Sequence, residues 1–206
     1  MKRSKSSAKW LRDHENDEFV QRARREGYRS RASYKLLEID DKFRLLSPGT
    51  RVVDLGAAPG GWTQVAAQRT GGQGRIVALD ILPMEPVAGT VFIQGDFTEE
   101  SVLDELIRVV GGPVDLVISD MAPNMSGMKA VDQPRQAYLV ELAVDLVDKV
   151  LRPGGNLVVK CFEGEGIGDI REMFRSRFDK VSNVKPKASR GKSREIYLVG
   201  CGFRPI

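Results

Sequence analysis

The sequence is poor in the residues that build disulfide and metal chemistry. Its 206 residues include two cysteines, Cys161 and Cys201, and one histidine, His14. Two cysteines exclude a disulfide scaffold and a four-cysteine zinc site, and a lone histidine argues against a His-based metal centre or triad, so no bound metal is expected. No apolar run approaches the ~20 residues that cross a bilayer, and no membrane segment is expected. The opening stretch, MKRSKSSAKWLRDHENDE, is basic but lacks an apolar core, which argues against a secretory signal and for a cytoplasmic protein. Internal repeats and low-complexity tracts are also missing.

Apolar residues make up 41% of the chain and charged residues 29%, an ordinary globular balance. The length suits one domain with a sizeable core: a basic helical appendage over 1–44 and a catalytic core over 45–206. The net charge of +4 conceals an uneven distribution. Residues 1–35 carry eleven Lys/Arg against five Asp/Glu, and residues 171–206 carry ten against three. The segment between them carries eleven against twenty. Basic ends around an acidic middle suggest a polyanion gripped by both termini, the plain alternative being two solvated tails. No long exposed apolar seam calls for an obligate dimer, and a monomer is expected.

The middle alternates β-branched runs with amphipathic stretches, the pattern of a parallel sheet with crossover helices. Strands are expected over Arg51–Leu55, Arg75–Leu79, Val91–Gln94, Val114–Ser119 and Asn156–Val159. Helices are expected over Trp62–Arg69, after an N-cap at Thr98, over about Asp132–Leu151 and over Ile170–Phe178. Val181–Val184 and Glu195–Val199 read as two more strands joined by the basic loop Lys185–Arg194. That link is too short for a crossover helix, so these strands should be antiparallel. The fold class is therefore α/β, a doubly wound, mostly parallel seven-stranded sheet ending in an antiparallel hairpin, as in Rossmann-like class I methyltransferases. Before it, helices are expected over Glu15–Arg25 and about Ser30–Phe43.

Asp54-Leu-Gly-Ala-Ala-Pro-Gly-Gly61 lies between a strand and a helix, where glycines let a ligand approach the backbone at the sheet's carboxyl edge. The spacing departs from the dinucleotide fingerprint G-x-G-x-x-G, and Pro59 removes an N–H that a pyrophosphate would use. Asp80 and Asp96 close the next two strands, placed for a ribose diol and for an exocyclic amine such as adenine N6. Either acid alone could be an ordinary turn residue. Together with the turn they describe a nucleoside cofactor without phosphates, S-adenosylmethionine, and hence a methyltransferase.

DLGAAPGGW at 54–62, SDMAP at 119–123, LVVKCF at 157–162 and KPKASRGKSREIY at 185–197 resemble the FtsJ/RrmJ family of RNA 2′-O-methyltransferases, as does RSRASYKLLEI at 29–39. The likeness runs from about Arg25 to the C-terminus and is nearest to bacterial members that methylate a uridine ribose in 23S rRNA. It implies a catalytic tetrad at Lys35, Asp120, Lys160 and Glu195. It also implies cofactor contacts at Asp54, Gly56, Pro59, Gly60, Trp62, Asp80, Asp96 and Asp120. The resemblance names Lys160 as proton acceptor for the ribose hydroxyl. Burial and Lys35 favour a neutral lysine while Asp120 and Glu195 oppose it, so a charged Lys160 stabilising the alkoxide is the alternative. Lys35 could instead pair with Glu38 on a solvated helix face.

Phosphate contacts are expected from Arg22, Arg24, Arg25, Arg29 and Arg31 and from Lys185, Lys187, Arg190, Lys192 and Arg194. Tyr28 and Tyr34 are candidates for stacking on bases or for packing. The loop Met121–Met128 is a candidate cover for the site. By resemblance the substrate is 23S rRNA within the assembled large ribosomal subunit. The rival readings are a ribosome-assembly factor that binds RNA with the same fold, a 2′-O-methyltransferase of another RNA, a small-molecule or protein methyltransferase, and, weakest, a nicotinamide-dependent oxidoreductase.

Overall fold

The structure is a computed structural model that describes residues 17–205. His14 and Glu15 lie outside the described residues. In chain order the elements are α1 (Glu18–Glu26), α2 (Ser33–Phe43), β1 (Val52–Leu55), α3 (Gly61–Thr70), β2 (Ile76–Asp80), β3 (Thr90–Gln94), α4 (Glu100–Val110), β4 (Val114–Ser119), α5 (Lys129–Val150), β5 (Leu151–Phe162), α6 (Ile167–Arg177), β6 (Phe178–Val184) and β7 (Glu195–Phe203). The strands form one seven-stranded sheet in the order β3-β2-β1-β4-β5-β7-β6. β7 runs antiparallel to both β5 and β6, and the other pairs are parallel. The expected fold class is the observed one.

The period of two along each strand divides the core into two layers. Val53, Leu55, Val117, Leu157, Val159, Ile196 and Leu198 face one side, against Leu106 of α4, Val144 and Val147 of α5, and Ile170 and Phe174 of α6. Val52, Leu116, Ile118, Val158, Tyr197 and Val199 face the other, against Leu36 and Ile39 of α2 and Trp62, Val65 and Ala66 of α3. This parity decides the chemistry, because Asp54, Lys160 and Glu195 share the register of the second set. Polar residues at these positions must emerge under α2 and α3.

Several boundaries differ from the sequence expectation. Thr98 does not cap α4: its N–H and hydroxyl both donate to Asp96 Oδ1, at 2.9 and 2.7 Å, and the helix starts two residues later. β5 begins at Leu151 rather than Asn156, because Val114 pairs with Leu151 while Leu116 pairs with Asn156. Residues 152–155 bulge outward between those pairs, so a Pro-Gly-Gly turn signal sits within a strand. α5 starts at Lys129, three residues before the expected Asp132, whose carboxylate accepts from Ser126 and Gly127 and so ties down the preceding loop. α1 is capped by Asp17, which accepts from the N–H groups of Phe19 and Val20. The loop Lys185–Arg194 folds back on α2, where Glu38 accepts from the N–H groups of Lys187 and Ala188 at 2.6 and 3.0 Å.

Phe174 is fully buried between α6 and the sheet, its ring centroid 5.5 Å from that of Phe178. Truncation to alanine leaves a cavity that the strand backbone cannot fill. Phe174→Ala is expected to destabilise the fold by about 3–5 kcal/mol, read as a lower urea midpoint with an unchanged slope.

Candidate active site

The carboxyl edge of β1, β2 and β4 carries the glycine turn. Gly56 and Gly60 adopt φ of +73° and +108°, which L side chains rarely adopt. A Cβ on Gly56 would lie 2.6 Å from Met121 Cγ, and one on Gly60 would lie 2.7 Å from the Arg29 guanidinium. Asp80, at the end of β2, braces this turn: Oδ2 accepts from Ala58 N–H at 2.9 Å and Oδ1 from Leu82 N–H at 2.8 Å. Asp96 follows β3 and is held below the usual carboxylate range by the Thr98 N–H and hydroxyl, both on Oδ1. Beneath the turn Asp54 is fully buried. Its Oδ2 accepts from Thr63 Oγ1 at 2.6 Å, while Oδ1 has no partner.

The four tetrad residues come together on the α2 side of the sheet. Lys35 is delivered by α2 and its Nζ lies 2.6 Å from Glu195 Oε1, at the start of β7. Lys160, near the end of β5, donates from Nζ to the Asp120 carbonyl at 2.5 Å and lies 3.2 Å from Asp120 Oδ1. Both lysines are largely buried. Burial pushes the Glu195 carboxyl up, but the neighbouring Lys35, together with Lys160 and the Ser189 hydroxyl, outweighs it and holds the group below its ordinary range. Lys35 therefore pairs across the fold with Glu195 rather than along its helix with Glu38, which is occupied by the basic loop.

One residue that the sequence reading passed over links these pairs. Tyr197 Oη donates to Asp120 Oδ1 at 2.6 Å and accepts from Lys35 Nζ at 3.2 Å. The chain Glu195–Lys35–Tyr197–Asp120–Lys160 is continuous. Burial, followed by the nearby carboxylates Asp120 and Glu195, pushes the Tyr197 hydroxyl well above its ordinary value and keeps it a donor. The signal for Tyr197 was its register: it stands two residues after Glu195, on the same strand face, and pairs directly with Lys160. Gln136 of α5 was also missed. It donates to the Lys160 carbonyl at 2.7 Å and fixes the strand end that carries the lysine.

Other expected residues have partners within the fold. The Trp62 indole donates from Nε1 to the Ala32 carbonyl at 2.8 Å, and its ring centroid lies 5.6 Å from that of Tyr197. Tyr34 is buried and packs against Tyr28 and Phe19, its hydroxyl donating to Glu26, so it does not present a face to a base. Tyr28 is partly buried and donates to Gln68 at 3.0 Å. The Arg29 guanidinium donates to the carbonyls of Pro59, Glu85 and Pro86, and so braces the cofactor-side loops instead of facing outward. Arg22 pairs with Glu26, and Lys185 donates to the Ser193 carbonyl. Arg31 is bound to Asp17 and the Ala188 carbonyl. Arg31, Lys35, Arg190, Ser193 and Glu195 nevertheless line a cavity of about 280 Å³ that opens beside the tetrad. Arg24, Arg25, Lys187, Lys192 and Arg194 are exposed.

The donor set on the turn fits a nucleoside cofactor. The glycines leave room at the backbone, acidic residues stand at three successive strand ends, and Asp54 Oδ1 is buried beneath the turn without a hydrogen-bond partner. No pyrophosphate-binding run of N–H groups is present across Pro59.

Comparison with known proteins agrees with this geometry. The profile of the family described as FtsJ-like methyltransferase matches residues 28–203. Proteins named Ribosomal RNA large subunit methyltransferase E are similar along their length. That of Pseudomonas fluorescens is 58% identical over 205 residues, covering 99% of this chain and 98% of the relative. That of Pseudomonas aeruginosa is 57% identical, covering 99% of each. Among solved structures, a protein described as a ribosomal RNA methyltransferase from Plasmodium falciparum superposes with a TM-score of 0.77 at 30% identity, covering 87% of this chain and 100% of the other. The fibrillarin pre-rRNA processing protein of Methanococcus jannaschii, at 15% identity and a TM-score of 0.56 over 77% of this chain and 69% of the other, shares the fold alone. With the family profile spanning most of the chain and relatives matching nearly all of it, this protein belongs to the FtsJ-like methyltransferase family.

Proposed function

We propose that this methyltransferase moves a methyl group from S-adenosylmethionine to the 2′-oxygen of a uridine ribose in 23S rRNA, with the assembled large ribosomal subunit as substrate. The observation that carries the reading is the continuous Glu195–Lys35–Tyr197–Asp120–Lys160 chain beside the glycine turn. The names of the relatives at 57–58% identity point the same way for the RNA.

The cofactor supplies a methyl already activated on a sulfonium, so the protein's part is alignment and proton removal. Gly56, Pro59 and Gly60 form the floor of its site, and Trp62 contributes through its backbone at the head of α3. Asp80 takes the ribose hydroxyls while it braces the turn, and Asp96 accepts from the adenine amine with the oxygen that Thr98 leaves unused. Asp54 and Asp120 face the cationic end. Lys160 would receive the proton of the 2′-hydroxyl, and S-adenosylmethionine held beside it would supply the methyl group that replaces that proton on the oxygen. Asp120 orients the Lys160 Nζ, and Lys35 and Glu195 position the ribose.

The tetrad lies where acidic cofactor residues meet the basic cavity lined by Arg31 and Arg190. A polyanion fits that cavity and the exposed Arg24, Arg25, Lys187, Lys192 and Arg194 around it. A small neutral substrate would need neither. No described helix is long and apolar enough to cross a membrane. The proposed substrate places the protein in the cytoplasm. A monomer and a single domain complete the reading.

Transfer of labelled methyl to large subunits from cells that lack the enzyme tests the proposal, with the product mapped by resistance to alkaline cleavage. Wild type is expected to label one ribose, and Lys160→Ala and Lys160→Arg to fall by about 10²-fold or more. Arginine keeps the charge but does not act as a base, so an active Lys160→Arg would overturn the proton-acceptor role. No labelling of subunits or free rRNA would overturn the substrate. Tyr197→Phe keeps the ring against Trp62 and removes both Oη links. It is expected to lower kcat about tenfold, roughly 1.4 kcal/mol, with KM for the cofactor and the unfolding midpoint near wild type.

A further inference from the structure

Asp54 occupies an unusual place in this site. It is wholly buried in β1 beneath the glycine turn, and Thr63 Oγ1 on α3 is the donor that reaches it. Its Oδ1 has no partner, and no Lys or Arg among the described residues pairs with it. The charged groups that face it are both acidic, Asp120 beyond β4 and Asp80 at the end of β2. Asp120 is already balanced by Lys160 and Tyr197, and Asp80 by two backbone N–H groups. Asp54 is fully buried with one donor and no cation beside it, and an uncompensated anion in such a place is costly.

Resting on the cofactor assigned above, we propose that Asp54 is a proton-linked counter-ion for the cationic cofactor: it is protonated in the free protein and gives its proton to solvent as S-adenosylmethionine binds. The sulfonium and ammonium of the cofactor supply the positive field that the buried carboxyl lacks, and the ionised form becomes the favoured one. Proton and cofactor then compete through one buried group, without direct contact between them.

The sign follows from the surroundings. Burial pushes the Asp54 carboxyl up to about 7, against a smaller opposing effect of Thr63 and with reinforcement from Asp120 and Asp80. A bound cation lowers that value. Between the two values the free protein holds a proton that the complex has lost, so binding releases it and affinity rises with pH. Above both values Asp54 is ionised in either state and the linkage vanishes.

Isothermal titration of the full chain with S-adenosylmethionine, without RNA, in pairs of buffers of different ionisation enthalpy, reads this proton directly. Wild type is expected to release close to one more proton per cofactor than Asp54→Asn at about pH 6, with the difference falling towards zero near pH 8.5. The affinity of wild type, unlike that of Asp54→Asn, should weaken about tenfold over that range as the pH is lowered. Thr63→Val strips Asp54 of the donor that favours its anion, so its release should persist to higher pH than in wild type. Equal release by wild type and Asp54→Asn at about pH 6 overturns the proposal. If Asp54→Asn does not fold, a Thr63→Val profile superposed on that of wild type overturns it. Absence of any binding to folded protein at either pH defeats the cofactor reading itself, an outcome distinct from binding without proton release.

Discussion

The antiparallel pairing of β7 with β5 is the constraint on which the site depends. It sets Tyr197 opposite Lys160 and Glu195 opposite Phe162, on a strand that begins where the basic loop ends. A slip of one residue would turn Tyr197, Glu195 and their neighbours to the other face, where α5 and α6 pack. The register is held by the alternation of Ile196 and Leu198 into one layer with Tyr197 and Val199 into the other. The hydrophobic pattern that closes the core is thus the same pattern that aims the polar residues at α2, which brings Lys35.

The tetrad is a nearly buried set of two lysines and two acidic residues in mutual contact. Such a set contributes little net stability, because desolvation offsets most of the attraction. Its value lies in geometry. Each long lysine side chain is held by defined oxygens, Lys35 by Glu195 and Tyr197, and Lys160 by two oxygens of Asp120. Tyr197 joins the two halves, and its ring is in turn fixed against Trp62. Trp62 opens α3 from the glycine turn and donates to Ala32 just before α2. One side chain therefore links the glycine turn, the helix that carries Lys35 and the chain of side chains through Tyr197.

Much of this was legible in the sequence. The strands themselves, the antiparallel end and the acids at strand ends follow from runs of β-branched residues and from the length of the links between them. The residues least legible were those whose role depends on a partner distant in sequence. Tyr197 looks like any aromatic in a core strand until Lys35 is placed 3.2 Å from its hydroxyl. Arg29 and Tyr34 look like surface residues of a basic helical segment, yet one caps three carbonyls and the other fills the gap between α1 and α2. Thr98 carries a capping side chain, but Asp96 captures it first through a two-residue turn, a local competition that residue preference alone does not settle. The Pro-Gly-Gly after Arg152 stops a helix as expected, but pairing to Val114 on the far side of the bulge draws the preceding residue into β5.

The distribution of charge sets an acidic region beside a basic one. Asp54, Asp80, Asp96 and Asp120 lie at the ends of parallel strands on one side, where strand order puts successive turns along one edge. Arg31 and Arg190 lie on the other, contributed by the segment before α2 and the loop before β7, which Glu38 holds together. A cation is favoured in the first region and an anion in the second. The tetrad, with both signs in contact, occupies the seam, and the screening that each region imposes on the other is least where Tyr197 and Trp62 exclude water. On the proposed function, a cationic cofactor and a polyanion would each approach from its own side of a boundary that the sheet register defines.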